Sequence, residues 1–258
     1  MRSLVACLCL LLAAVAVHFS SAELLSRISF EKPFDSISPE GERLVGANWE
    51  HGGSALVNRH FVRLTPDRQS RRGWVWSKER LGRREFSLVL TFRISGQAAS
   101  WYGDGLALWI TTSPNHQPGD NHGFTPNFRG LGFVFDTFVN QEHAGGHRDV
   151  TFFENDGTKS LDDLNDQEKI GCMAAGIRYH EKNAAFSPSL NMSRAKIQYK
   201  DSFVQVSIDA KNTGEWVECF RRSVTIPEEW IEDATVGITA STGGLADNHD
   251  VIALSVYE

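Results

Sequence analysis

The sequence predicts an all-β protein, a sandwich of two facing sheets, and three observations carry that prediction. Apolar and polar residues alternate with a period of two over much of the chain. No long window shows a convincing 3.6-residue period, and only residues 159–169 leave room for a short helical turn. The strand candidates follow one another with no Pro/Ser-rich linker between them, which argues for one domain rather than two.

The clearest strand is 86–94. There Phe86, Leu88, Leu90, Phe92 and Ile94 point one way, while Ser87, Thr91 and Arg93 point the other. Leu106, Leu108 and Ile110 repeat the pattern after Asp104-Gly105. Further strands are expected at 131–136, 149–154, 175–180, 195–200, 202–209, 235–240 and 250–257. These runs are β-branched and aromatic, and clusters of Gly, Asn, Asp or Pro separate them. Inward alternation on so many strands requires two facing sheets or a closed barrel, and the widely varying connection lengths favour the sandwich. The segment from Thr111 to Phe128 is rich in Pro, Gly and His and does not alternate. A loop of that length in a compact domain is expected to be functional or mobile.

Residues 1–22 read as a removable signal peptide. Arg2 precedes an unbroken apolar run from Leu4 to Val17, and Ser20-Ser21-Ala22 offers the small residues that a signal peptidase accepts. The run falls short of the ~20 residues a membrane span requires, and no later apolar stretch exceeds it. Residues 23–258 are expected to form the folded domain. The chain carries 26 Lys and Arg against 32 Asp and Glu, a formal net charge of −6, and has no basic run. Nucleic acid is therefore not an expected partner, since phosphate binding needs clustered basic groups. A hydrophobic content of 41 % with 16 Phe fills one sizeable core and excludes disorder.

Cysteine usage supports a secretory compartment. Cys7 and Cys9 would leave with the signal peptide, so Cys172 and Cys219 remain. An even pair in an oxidising lumen is most simply one disulfide, worth about 4 kcal/mol on the chain-entropy view; two independent buried thiols are the alternative. Asn191-Met192-Ser193 is the sole N-glycosylation sequon and is expected at the surface.

Three polar clusters interrupt the apolar strands. They are Tyr102-Gly103-Asp104-Gly105, Asp136-Thr137-Phe138-Val139-Asn140, and the acidic loop Asp162-Asp163-Leu164-Asn165-Asp166. Carboxylates together with an amide oxygen suit a hard cation such as calcium, which takes six to eight oxygen ligands. An Asp at a strand end, taken alone, reads most often as a turn or cap residue. An EF-hand is excluded, because placing Gly157 at its sixth position puts Phe152 where a carboxylate must be. His143 and His147, and likewise His116 and His122, have zinc-like spacing but no helix to align them. No strand carries the alternating carboxylates of a glycosidase, Glu228–Asp233 reads as a solvated turn, and no Ser or Cys stands in a nucleophile elbow. Catalysis is not expected.

Several segments, taken in order, resemble one family. Phe30-Glu31-Lys32-Pro33-Phe34, Phe61–Pro66, Gly103-Asp104-Gly105-Leu106-Ala107-Leu108-Trp109, Gly130–Phe138 and Thr242–Asp250 resemble the lectin domain of the L-type (leguminous-lectin-like) cargo receptors of the early secretory pathway. The resemblance covers essentially all of 23–258. It implies a concanavalin-like sandwich of two antiparallel sheets, one of them concave, and calcium-dependent binding of high-mannose N-glycans. Carried over residue by residue, it implies that Asp136, Asn140 and Asp166 ligate Ca2+ by side chain and Phe138 by its carbonyl. Asp104 and Asn140 would hydrogen-bond mannose, and Gly243, Gly244 and Leu245 would close the site, the last two through backbone N–H groups. It further implies a Cys172–Cys219 disulfide and a cis peptide bond before Asp104.

The chain departs from the family pattern at two sugar-facing positions. Asp163 stands where the family commonly has a sugar-binding, pH-sensitive His, and Trp74 stands where it has a Ser. Asp163 would accept a sugar hydrogen bond or add a calcium ligand. Trp74 would stack on a sugar face or narrow the pocket. Val139 and Gln141, acidic in members holding a second calcium, imply one ion. The expected protein is a non-enzymatic lectin of the ER, ER–Golgi intermediate compartment or Golgi lumen, or a secreted one, acting on glycoprotein cargo in transport or quality control. The alternative is a member that has lost sugar affinity and works as a protein-interaction adaptor.

Overall fold

The computed structural model describes residues 22–113, 117–138, 147–160, 163–164, 170–227 and 232–258. Its strands are β1 (Phe30–Glu31), β2 (Trp49–Gly53), β3 (Leu56–Val57), β4 (Val62–Thr65), β5 (Arg71–Arg80) and β6 (Phe86–Gly96). Then come β7 (Gly105–Thr111), β8 (Arg129–Asp136), β9 (Val150–Asp156), β10 (Gly171–Cys172) and β11 (Arg178–His180). The last are β12 (Ser193–Lys200), β13 (Phe203–Asp209), β14 (Val217–Ser223), β15 (Thr235–Thr242) and β16 (Asn248–Tyr257).

They form two sheets. One runs β14-β13-β12-β6-β16-β4-β3, with β1 added to β16 and β11 to β6; the other runs β10-β9-β8-β7-β15-β5-β2. Among the described residues every strand pairing is antiparallel except β11 on β6. The sandwich therefore has the expected architecture. Phe86, Leu88, Leu90, Phe92 and Ile94 of β6 are buried between the sheets, facing Leu106, Leu108 and Ile110 of β7 and Phe133 and Phe135 of β8. Phe92 and Phe135 meet across the gap with ring centroids 4.7 Å apart.

A second apolar cluster covers the far side of the β7–β8–β15–β5 sheet. It contains Trp76, Ala107, Trp109, Phe124, Phe128, Val134 and Leu164. Phe124 and Phe128 come from the segment after Thr111 and anchor its described stretch 117–128 to the sheet through their aromatic rings. Each tryptophan here lies over a glycine of a neighbouring strand. Trp74 covers Gly52, Trp76 covers Gly237 and Trp109 covers Gly132, and a Cβ at any of these glycines would overlap the ring. β7 is buried along its whole length because both of its faces are covered.

Cys172 on β10 and Cys219 on β14 are joined in a disulfide with Cα atoms 5.2 Å apart, which ties the edges of the two sheets together. The strands that alternation does not identify have physical reasons for hiding. β5 packs Val75 inward and Trp74 and Trp76 outward, so it shows no two-fold pattern. β14 is an edge strand with Val217 exposed and little buried on either face. β2, β3, β4 and β10 run for only two to five residues.

Candidate functional site

Three neighbouring strands of the second sheet end together. Ser241 of β15 and Asp136 of β8 both pair with Gly105 of β7, so the row reads Ser241, Gly105, Asp136. Asp104 immediately precedes that row, after a cis Gly103–Asp104 peptide bond of the kind the resemblance implies. Its backbone carbonyl accepts hydrogen bonds from Thr137 N (2.9 Å) and Thr137 Oγ1 (3.1 Å). Burial raises the Asp104 carboxyl above the usual carboxylate range, and a hydrogen bond donated by the Ser241 hydroxyl pulls it back.

Asp136 and Phe138 are drawn together locally, since Phe138 N donates to Asp136 Oδ1 at 2.7 Å. Gly103 packs against the Phe138 side chain so closely that a Cβ there would sit 2.8 Å from the Phe138 Cβ. The Asp104 loop and the Asp136–Phe138 turn therefore form one unit. Gly243 closes the third side, where a Cβ would lie 3.6 Å from both Asp104 carboxylate oxygens. The Gly243-Gly244 segment is itself held from behind, with its carbonyls accepting from Ser70 N (3.1 Å) and Gln69 Nε2 (2.5 Å). The structure thus brings Asp104, Asp136, Phe138, Gly243, Gly244 and Leu245 to one end of the sheet. Asn140 and Asp166 lie outside the described residues, as do Val139, Gln141, His116, His143 and nearly all of the signal peptide.

The donors in place are a carboxylate on Asp136 and a carbonyl on Phe138, both hard oxygens, which is the chemistry calcium selects. Among the described residues no three His, Cys, Asp or Glu side chains converge on one point. The two further oxygen donors that the resemblance implies, on Asn140 and Asp166, lie outside the described residues.

The two departures occupy different settings. Trp74 is half-buried on the same face as Asp136, one same-face step along β5 from Arg72, which pairs with Ser241. It flanks the row at a distance of roughly 7 Å along the strand and packs on the aromatic cluster. Asp163 is exposed, and its Oδ2 accepts from Ser160 N and Ser160 Oγ, each at 2.7 Å. Those bonds hold its carboxyl below the ordinary range, so it remains charged in any mildly acidic compartment. Asn191 is half-buried just before β12, with its Oδ1 accepting from Ser187 N at 2.6 Å.

Sequence reasoning assigns no role to Ser241, Thr137, Gln69 or Ser70. Ser241 carries a usable signal, because it directly precedes the Thr242–Asp250 motif. The second half of that motif is structural. Asn248 Oδ1 accepts from Asp67 N at 2.8 Å, His249 Nδ1 meets Thr65 Oγ1 at 2.6 Å, and Asp250 takes Arg63 and Arg93.

Comparison with known proteins gives a consistent answer. A profile described as the legume-like lectin family matches residues 21–258. The chain is 31 % identical over 239 residues to the VIP36-like protein of Mus musculus, covering 89 % of this chain and 63 % of that protein. It thus spans a little under two thirds of the length of that relative. Among solved structures it resembles the metal-free exoplasmic/lumenal domain of VIP36, with a TM-score of 0.76, 26 % identity, and coverage of 92 % of this chain and 93 % of that one. The same domain in its Ca2+/Man3GlcNAc-bound form matches with a TM-score of 0.74, 25 % identity, and coverage of 92 % and 90 %.

Proposed function

The chain belongs to the legume-like lectin family, and from that premise we propose that it is a calcium-dependent lectin for high-mannose N-glycans on glycoproteins. The observation that supports this reading best is the meeting of three chain segments at one sheet end. There the Asp104 carboxylate stands beside Ser241 and Gly243, and it is joined through Gly103 to the Asp136–Phe138 turn. A VIP36 lumenal domain of similar fold is known with Ca2+ and mannose oligosaccharides bound.

In this reading Asp136 and Asp166 by carboxylate, Asn140 by its amide oxygen and Phe138 by its carbonyl would hold Ca2+. With its amide oxygen on the ion, Asn140 would keep its N–H groups available to donate to the sugar. Asp104 accepts from vicinal mannose hydroxyls, and the Gly244 and Leu245 N–H groups donate from the opposite wall. Each such bond contributes about 0.5–1.5 kcal/mol net, so a single site is weak and releases its ligand readily. Trp74 borders the site and constrains the sugars attached beyond the first, whereas Asp163 stabilises its own turn through Ser160. No bond of the sugar is made or broken.

The place of action we propose is the secretory-pathway lumen, in transport or quality control of glycoprotein cargo, as befits a relative of a vesicular integral-membrane protein. Among the described residues no helix is long and apolar enough to cross a membrane. Calorimetric titration of the disulfide-intact chain with mannobiose, in calcium and again in EDTA, tests the proposal. Binding that requires calcium is the expected result. No binding in either buffer, with calcium still raising the melting temperature, would instead indicate a protein-interaction adaptor.

A further inference from the structure

We infer that Arg178 is a positioning residue that braces the two sugar-contacting loops, 98–104 and 243–247, against each other; this rests on the sugar-binding reading of Asp104 and Gly243–Leu245. Arg178 lies on β11, which pairs in parallel with β6, and it is not itself one of the proposed sugar or calcium ligands. Its guanidinium carbon is 3.5 Å from the centroid of the Tyr102 ring, and Nη2 donates to the Ala98 carbonyl at 2.9 Å. Both partners belong to the loop that delivers Asp104. The Nε–Nη2 edge of the same guanidinium reaches the second loop, where Nε and Nη2 donate to Asp247 Oδ2 and Oδ1, each at 2.9 Å. Asp247 lies two residues beyond Leu245.

The fold makes room for this contact and encloses it. Asp247 is fully buried and the Arg178 side chain is 10 % exposed. A Cβ on Gly96 would land on Asp247 Oδ1 and lie 3.1 Å from Arg178 Nη2, so the glycine leaves the space in which the pair forms. A planar fork is needed to stack on an aromatic ring, bond a carbonyl and chelate a carboxylate together. Lysine can satisfy only part of that set.

The brace is also sensitive to pH. The charged groups around Asp247 are Arg178 from β11, Asp67 from the β4–β5 turn and Glu181 from the segment after β11. Burial pushes the Asp247 carboxyl up to about 6, opposed by Arg178 and reinforced by Asp67 and Glu181. At pH 7.5 the pair is ionised, and as pH falls through 6 the carboxylate takes up a proton and its hold on Arg178 weakens. The expected consequence is loss of sugar affinity on mild acidification. Protonation of Asp247 itself favours the folded state, so the loss does not arise from Asp247 destabilising the fold.

The test uses calcium-saturated protein with mannobiose as the probe, titrated calorimetrically at pH 7.5 and 5.5. The samples are wild type, Arg178→Lys and Asp247→Asn, and amide hydrogen exchange is followed over 98–104 and 243–247. Arg178→Lys is expected to lower affinity on the order of tenfold, the scale of lost outer-shell support, while the calcium-induced rise in melting temperature is kept. Both loops should exchange faster together while β6 and β7 stay protected. Wild type should lose affinity between the two pH values and Asp247→Asn should not, which cancels any titration common to both. Unchanged exchange in both loops of Arg178→Lys, or superimposable pH dependence in wild type and Asp247→Asn, overturns the brace. Failure of wild type to bind mannobiose in calcium overturns the sugar reading instead, and the exchange result then decides the brace alone.

Discussion

Gly243 faces Asp104 at a separation that leaves no spare layer of atoms, because a Cβ on the glycine would lie 3.6 Å from both carboxylate oxygens. That is ordinary van der Waals contact, and Gly243 is not among the positive-φ residues, so the fold itself accepts alanine. In the proposed sugar site the methyl group would nevertheless take the space through which a hydroxyl reaches the carboxylate. Gly243→Ala is expected to melt like wild type and to lose about 1–3 kcal/mol of mannobiose binding, the range for a polar group left unpaired. Equal affinities for wild type and Gly243→Ala would separate the glycine wall from the sugar.

In the calcium-dependent reading proposed above, Asp136 has two jobs that one substitution can divide. Its Oδ1 accepts from Phe138 N, which shapes the turn, and its charge is what a divalent cation needs. Asp136→Asn keeps an acceptor for the turn and removes the charge. The expected outcome in thermal melts is an unchanged midpoint in EDTA and no upward shift on adding calcium. A shift equal to that of wild type would take the calcium ligand away from Asp136.

The sandwich was legible because β6, β12 and β13 each have one covered and one more open face, so burial leaves a two-residue rhythm in the sequence. β5 was not, since Val75 faces the inter-sheet core while Trp74 and Trp76 face the aromatic cluster. The site was legible only in part and largely through resemblance. Asp104 and Asp136 stand out as charges at strand ends, but nothing in the local sequence says that Ser241 will lie beside Asp104. That proximity comes from β7 pairing with β15 across a long stretch of chain. Arg178 was invisible for the same reason, because a lone arginine on a three-residue strand acquires meaning only from Tyr102 and Asp247.

The tryptophan–glycine contacts predict a stability effect far from the sugar site. Gly237 lies directly under the Trp76 ring, and Trp76 is wholly buried against Phe124, with ring centroids 5.0 Å apart. Gly237→Ala forces the ring or the strand to move, and overpacking of this kind costs about 1–3 kcal/mol. Urea denaturation should show a lower midpoint with an unchanged slope. A midpoint equal to wild type would mean that the ring has room to shift.

Asp250 holds two arginines from inside the protein. Arg63 Nε reaches its Oδ1 at 2.7 Å and Arg93 Nη2 its Oδ2 at 2.5 Å, while Phe61 lies against both guanidinium groups. Asp250 is fully buried and the Arg93 side chain is 3 % exposed, so removing the carboxylate strands a charge that water cannot reach. Asp250→Ala is expected to destabilise by about 3–5 kcal/mol. The double variant with Arg93→Met should recover part of that loss, because it removes the stranded charge. No recovery would show that the arginine relaxes into solvent when its partner is gone.

Two histidines whose ring nitrogens are shielded from water predict how the fold responds to acid. Burial, followed by the charges of His122 and Arg63, pushes His249 down to about 3, and burial pushes His122 down to about 4. In the unfolded chain both titrate near 6.5. As pH falls from about 6.5 to 4, the unfolded state binds protons that the native state refuses, so stability falls with acidification, by up to about 1.4 kcal/mol per pH unit for each histidine. Above about 6.5 neither group contributes a slope. Asp247, raised to about 6, opposes this trend below that pH, so the histidine term is isolated by difference. His249→Gln removes one titration and offers an amide to Thr65, the present partner of Nδ1 at 2.6 Å. Unfolding free energies measured in EDTA across this range should fall less steeply for His249→Gln than for wild type. Parallel curves would mean that His249 accepts its proton in the folded protein and takes no part in acid sensitivity.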